Sequence, residues 1–574
     1  MLATLLAWIV LAFALFTFGE MLLALYNKLC HREEQYNPID KVLLGLCALI
    51  IPLSLWSLWL PSNQLFLAIV LFICICYWTI NVKRAGKIFS KIRNTSIKDV
   101  PLFEIVIWTA FTLSSLFFFS WIQDIYDSAF YHMQNIRWNE EFAVVPGLAN
   151  LDDKLGFNSN YLLLSAVFSF RFILGEALFP LHSLIITLCG GWILYELFKS
   201  KYEIKRILIF ASFLLLYWVS VYFLQNTSTD ILPNFVVFYI FARILLYPHL
   251  LKNNILIGII LPVFLVTCKL SFLPICFISL YLIYTLIKKK EYKPVISALI
   301  ICLLIFIPWL IRNVIVSGYL IYPLYQVDLF DFDWKVPVDI AIRQKDYISS
   351  VGYYFLRIAL KYPGESIRDT WTINILTDII YILAFASIIT TAYYIVKNKK
   401  DSSNIPLNLL FCSSVAALAI WFFGGPDIRF VSGILCSVIL IGSTILLRGK
   451  ERQFRLLGKL SICLFIIGIV LWTGSRYTYF APQVVNKNIY PLSQQMIRPF
   501  TIKDQAVAKG IDMPGGFWKQ PINNGLSISV SYGLPYDIFL PATVDYHYAK
   551  FLPLNCIEAR GNTIQEGYRA KSGC

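Results

Sequence analysis

The sequence predicts an all-α polytopic membrane protein of about 14 transmembrane helices, with extracytoplasmic loops and a small β-containing C-terminal domain. Three observations carry this expectation. Of 574 residues, 58% are hydrophobic and only 14% charged, where a soluble domain carries roughly 25% charged residues. The apolar residues gather into runs long enough to cross a hydrocarbon layer of about 30 Å. Lys and Arg fall in short clusters at alternate connections, as topology determinants do.

The first run begins at residue 2, with neither a basic leader nor a small-residue cleavage site, and reads as an uncleaved span. Further runs lie at 41–60, 65–80, 103–121, 177–197, 206–224, 231–247, 254–270, 271–287, 295–312, 371–396, 407–424, 429–447 and 460–475. The clusters Lys83–Lys98, Lys199–Arg206, Lys288–Lys293, Lys397–Lys400 and Arg448–Arg455 should face the cytoplasm. Connections near Ser62, Thr227 and Gly425 hold almost no Lys or Arg, which puts them and both termini outside. Residues 158–175, with Arg171 among them, are apolar enough to span, but a crossing there would invert every later loop. They are expected to lie in or dip into the outer interface.

This scheme divides the chain into a three-helix membrane extension (1–102), a transmembrane core (103–475) and an extracytoplasmic C-terminal domain (476–574). The core carries outer loops at 122–176 and 313–370. Strand-like alternation, as in LSISVSYG, marks the C-terminal domain. The net charge of +15 does not argue for nucleic acid as a partner, because the basic residues sit at connections between apolar runs. Most of the 13 cysteines, including Cys47, Cys74, Cys76, Cys189, Cys268, Cys276 and Cys302, lie inside those runs and serve as small hydrophobes.

Residues with chemistry concentrate at the expected outer ends. Asp124 and Asp127 follow a span directly, three residues apart, and share a face if the helix continues. A carboxylate held at the membrane surface can act as a general base; the plainer reading is a solvated acidic pair ending a helix. The run Tyr131, His132, Gln134, Asn135 is more polar than a connector needs. Lys269 interrupts two apolar runs, where an ionisable group is a functional hypothesis by default, the alternative being snorkelling. Arg312 and Asn313 end another span, and Asp427 and Arg429 occupy a short outer turn. Arg offers phosphate a fork of donors, although Asp427 and Arg429 could equally form a local pair. Glu140, Glu141, Asp152 and Asp153 could offer oxygen ligands to a divalent cation such as Mg or Mn, but no spacing rule supports a metal site.

Several segments together carry a likeness. They are DSAFYH with its following VP turn and interfacial segment, TCK near a span end, the run from Arg312 and Asn313 through Gly318 to Pro323, and WFFGGPDIRF. Over roughly residues 103–450 this resembles the GT-C glycosyltransferases, and more narrowly a bacterial group of multi-span proteins with that architecture. The resemblance implies Asp127 as catalytic base, with Asp124 next in line, and Lys269 holding a lipid phosphate. Arg312 and Arg429 would assist, with Tyr131, His132, Asn313 and Asp427 at the substrate. The chain departs from the pattern after LAN: Asp152, Asp153 and Lys154 stand where a His and an Arg would be usual, so no role carries over to that turn.

The implied function is inverting transfer of a sugar from a polyprenyl-phosphate donor to a glycan, lipid or protein acceptor, in cell-envelope glycan assembly. The implied location is the bacterial inner (plasma) membrane, with the site on its periplasmic or extracellular side. A polysaccharide polymerase or ligase would rely instead on Arg and His, without an essential early carboxylate. A transporter or lipid flippase would place ionisable groups near the midplane within inverted repeats, and no repeat is visible.

Overall fold

In the computed structural model, residues 1–94, 101–122, 126–361, 371–398, 404–449, 453–486, 496–499, 501, 516–545 and 550–574 are described. The apolar runs fold as helices. Helices α1 (Leu2–Cys30) and α2 (Pro38–Trp56) form a hairpin. Gly19 and Gly45 let their backbones touch, since a Cβ on either would overlap a carbonyl oxygen of the partner helix. Asn37 caps α2 by accepting from the Asp40 N–H, and Pro38 occupies the first turn, where its missing donor costs nothing. Then come α3 (Gln64–Ile80), the basic α4 (Val82–Asn94) and α5 (Leu102–Phe118). A π-helical turn (Ser128–His132) leads into α6 (Met133–Glu141), followed by α7 (Asn160–Val167) and α8 (Arg171–Leu174).

The central helices are α9 (Pro180–Lys199), α10 (Ile204–Val219), α11 (Val221–Leu224), α12 (Ile231–Leu246), α13 (Leu250–Asn253) and α14 (Ile255–Cys268). A 3₁₀ stretch (Leu270–Ile275) joins α15 (Cys276–Lys288). The chain continues through α16 (Tyr292–Ser317), α17 (Val338–Lys361), α18 (Trp371–Lys397), α19 (Ile405–Gly424), α20 (Ser432–Leu446) and α21 (Arg455–Asn486). Helices α12 and α20 form the centre: every residue is buried from Ile231 to Ala242 and from Ser432 to Gly442. By contrast α18, α19 and α21 expose large apolar side chains such as Ile382, Phe385, Phe423, Leu464 and Leu471. A helix can carry these outward when its solvent is hydrocarbon. Among the described residues eight helices are long and apolar enough to cross a membrane, and five shorter ones are comparably apolar. These are features of a membrane protein.

Polar contacts sort to the two ends of the bundle. At one end Glu20 binds Lys41 and Arg84, Asp40 accepts from Tyr239 and Arg243 at 2.6 and 2.9 Å, and Glu196 accepts from Tyr247 at 2.7 Å. Arg84 and Arg206, each from one of the basic clusters, belong to this end. At the other end the connection after α2 bonds to the first loop: the Ser62 N–H donates to the Asn139 carbonyl at 2.7 Å, and the Val144 N–H to the Ser57 carbonyl at 2.9 Å.

The 158–175 segment, expected to lie in or dip into the outer interface, forms no helix of membrane-spanning length and divides into α7 and α8. Its main helix, α7, is buried throughout, against α6, α2 and α14, because Ser159 and Asn160 find partners inside the protein. Their side chains donate to the Cys268 carbonyl and the Thr267 hydroxyl, both at 2.8 Å. Arg171 pairs with Glu140 at 2.6 Å and Asp537 at 2.5 Å.

The C-terminal region is a β structure laid over this end. Strands β1 (Phe517–Pro521) and β2 (Ser527–Ser531) pair antiparallel, and β3 (Ala542–Val544) joins β2 in parallel. Strands β4 (Ile557–Ala559) and β5 (Tyr568–Ala570) form a second antiparallel pair. The alternating LSISVSYG stretch becomes β2, with Ile528 and Val530 buried in a cluster with Trp138, Leu148, Leu151, Tyr319 and Val336. Three distant segments thus share one apolar core. A Cys556–Cys574 disulfide closes the β4–β5 unit. Cys556→Ser should lower the stability of this unit by about 3 kcal/mol, the loop entropy such a crosslink removes. Limited proteolysis should then cut the C-terminal region preferentially, leaving the helices intact.

Candidate functional site

At the end opposite Arg84 and Arg206, Asp127, Lys269, Asp427 and Arg429 come together. Asp127 immediately precedes the π-helical turn, a distortion that re-aims side chains. Its carboxylate pairs with the Arg429 guanidinium. The Nε of Arg429 lies 3.0 Å from Asp427 Oδ2, so the guanidinium is held between two carboxylates. The turn bearing Arg429 is built locally. Asp427 Oδ1 accepts from the Arg429 N–H at 3.0 Å, and its carbonyl accepts from Trp421 Nε1 at 2.7 Å. Asn234 of α12 fixes the turn from inside, donating to the Arg429 carbonyl and accepting from the Gly433 N–H, both at 2.8 Å. Gly433 permits this approach, since a Cβ there would overlap the Asn234 carbonyl oxygen.

Lys269 sits at the break between α14 and the 3₁₀ stretch. Its ammonium pairs with Asp230, at the start of α12, and lies 3.5 Å from the centre of the Phe430 ring. The Arg429 guanidinium lies 5.0 Å from the same ring. His132 Nδ1 is 2.6 Å from the Thr227 carbonyl, to which the Ser128 hydroxyl also donates at 2.7 Å. Since a carbonyl only accepts, Nδ1 carries the proton, and the buried Nε2 is a lone-pair acceptor without a hydrogen-bond partner among the described residues. The Tyr131 ring stands 4.2 Å from the His132 ring.

Lys154, to which the sequence assigns no role, also belongs here. Its ammonium lies 4.5 Å from the Tyr347 ring centre, 5.7 Å from Phe130 and 5.9 Å from Tyr131. Burial pushes this ammonium below its ordinary range, against the opposing pull of Asp127, Asp152 and Asp153. Burial would raise the Asp127 carboxyl, but the neighbouring charges of Arg429, His132 and Lys154 outweigh it and hold the group down at about 2. Burial likewise pushes the His132 imidazole down to about 4. The carboxylate is therefore ionised, and bound to Arg429 it is a weak base. Among the described residues, Asp127 and Asp427 flank Arg429, and Asp230 pairs with Lys269. An incoming anion has to compete with a carboxylate for its cation.

Two expected members lie elsewhere. Arg312 donates to Ser57 Oγ at 2.6 Å, Asn139 Oδ1 at 2.7 Å and Asn158 Oδ1 at 3.4 Å, beneath the loop that precedes α7 and away from the Asp127 cluster. Asn313 donates to the Leu320 carbonyl at 3.1 Å and shapes the turn after α16. Asp124 lies outside the described residues. The acidic residues considered for a cation have other partners: Glu140 has Arg171, Glu141 has Arg137, Asp152 has Thr543, and Asp153 accepts from the Phe551 N–H. Among the described residues no three His, Cys, Asp or Glu side chains converge as metal ligands.

Asp153 sits where the first loop meets the C-terminal region. Burial, then the charge of Asp152, raises its carboxyl to about 7. A carboxyl raised on folding binds protons that the unfolded chain releases, so its contribution to stability falls as pH rises from about 4 to 7. Asp153→Asn should flatten this slope relative to wild type, read as the difference in thermal midpoint between the two proteins across that window.

An apolar helical bundle with a cluster of paired charges at one end defines a multi-helix membrane protein with a polar site at the mouth of its bundle. Residues 1–436 match the family described as a domain of unknown function (DUF8201), and the chain belongs to that family. No curated protein and no solved structure matches the chain.

Proposed function

We propose that this protein is a GT-C-like glycosyltransferase that moves a sugar from a polyprenyl-phosphate donor to an acceptor hydroxyl on the outer face of the membrane. The observation that carries this reading is the Asp127–Arg429–Asp427 arrangement with Lys269 and Lys154 beside it. A phosphate competing for Arg429 would free Asp127 from its guanidinium and make it a stronger base. Asp127 then takes the acceptor proton as the acceptor oxygen bonds to the anomeric carbon. The sugar–phosphate bond breaks, and the phosphate keeps the electron pair. Such a leaving group needs positive charge rather than a proton, which the cation set supplies. Tyr131 and His132 lie beside Asp127 on the acceptor side.

In this reading all fourteen apolar helices cross the membrane: the eight long ones, the five shorter ones and α10. The basic clusters face the cytoplasm of a bacterial plasma membrane. The Cys556–Cys574 disulfide supports an oxidising, outer location for the C-terminal region. No step uses Mg or Mn, since the local carboxylates are engaged by Arg429 and Lys269. The polymerase or ligase reading draws on His132 and Arg429 alone and leaves the Asp127 pair without a task.

The test is direct. The purified chain in lipid vesicles is supplied with a polyprenyl-phosphate sugar, and release of polyprenyl phosphate is followed. Donor consumption that depends on Arg429 supports the reading. Movement of a solute across the vesicle with no donor consumed would overturn it.

A further inference from the structure

A second site lies under the outer loop, built around Arg312. This side chain is only 3% exposed, yet its hydrogen-bond partners among the described residues are neutral oxygens, those of Ser57, Asn139 and Asn158. No carboxylate of the described residues reaches it in an ion pair. A guanidinium cannot shed its proton, so the positive charge stays. Burying such a charge among neutral groups is costly. Three of its five N–H donors meet those oxygens, which leaves two. Arg312 lines a cavity of about 20 Å³ together with Asn135, Trp138, Asn139, Asn158 and apolar side chains of the loop. Trp138 is 2% exposed, and its indole Nε1–H is a buried donor with no acceptor among the described residues. A fixed cation and an unmatched donor thus border one small cavity, and what both lack is a negatively charged acceptor.

We propose that this cavity binds a single small monovalent anion of the chloride class, held by Arg312 and the Trp138 indole. A volume of this size suits a single occupant little larger than a water molecule. The anion would neutralise Arg312 and join α16, α6 and the connection after α2 into one floor beneath the outer cluster. This site is independent of the proposed sugar transfer and stands or falls without it.

The experiment uses the full chain, purified in detergent, with thermal unfolding followed at constant ionic strength as sodium gluconate is replaced by sodium chloride. Chloride should raise the midpoint along a saturating curve. Trp138→Phe keeps the ring and removes the donor, and should shift the half-saturating chloride concentration upward about tenfold or more, the scale of a hydrogen bond to a charged group. Arg312→Met should abolish the response. Should that variant not fold, bromide decides the matter on the wild type, with an anomalous scattering peak expected between Arg312 and Trp138. Superimposable chloride and gluconate curves, an unshifted Trp138→Phe curve, or a cavity holding water without bromide would each overturn the proposal.

Discussion

Asp127→Asn should remove most sugar transfer, by about 10²–10⁴-fold, while leaving fold and donor binding close to wild type. Asn keeps the shape of the carboxylate but cannot take up the acceptor proton. The fold survives because Arg429 retains its second partner, with Asp427 Oδ2 3.0 Å from Nε. In steady-state kinetics kcat should fall with KM nearly unchanged, the signature of an interaction made in the transition state. Asp124→Asn is the internal control. If it abolishes turnover and Asp127→Asn does not, the base lies three residues earlier. If neither change matters, the carboxylate mechanism is wrong, and the polymerase or ligase reading gains.

Lys269→Met should have the largest effect on donor binding, and a structural cost as well. It leaves Asp230, only 4% exposed, without its cation. Breaking a buried pair from one side costs about 3–5 kcal/mol. The double variant Lys269→Met/Asp230→Asn separates the two effects. With no lone charge left, stability should recover, measured by thermal unfolding. Donor binding should stay weak, because the cation proposed to meet phosphate is still missing. The coupling between the two substitutions would thus appear in stability and be absent from binding. A double variant that regains both would reduce Lys269 to an internal counterion.

What could be read from the sequence was what depends on near neighbours. Apolar runs map onto helices because lipid-facing and core-facing residues are alike apolar, and the short polar breaks at Ser62, Thr227 and Gly425 became the connections at the site end. Strand β2 was visible as alternation, since Ile528 and Val530 point one way. The pairs were not visible. Arg429 and Asp127 stand 302 residues apart, and nothing in either local sequence names the other. Asp230 and Asn234 look like ordinary residues at a helix start until α14 and the Arg429 turn arrive beside them. Lys154 was obscured by its own neighbours: Asp152 and Asp153 suggest a solvated acidic turn, whereas both are buried. Arg312 has the residue type and span-end position of a phosphate ligand, and only its partners show that it faces a different cavity.

The stitching of the C-terminal region to the loop before α7 has a consequence in time. Arg137 donates to the Ile538 carbonyl across 401 positions, and Lys550 to the Leu151 carbonyl across 399. At a synthesis rate of about 5–20 residues per second, roughly 20–80 s separate the two halves of each contact. Throughout that interval Trp138, Leu148 and Leu151 stand without the β-strands that later cover them. Elongation speed between these positions therefore sets how long the nascent chain displays an unfinished, aggregation-prone surface, and with it the yield of folded protein.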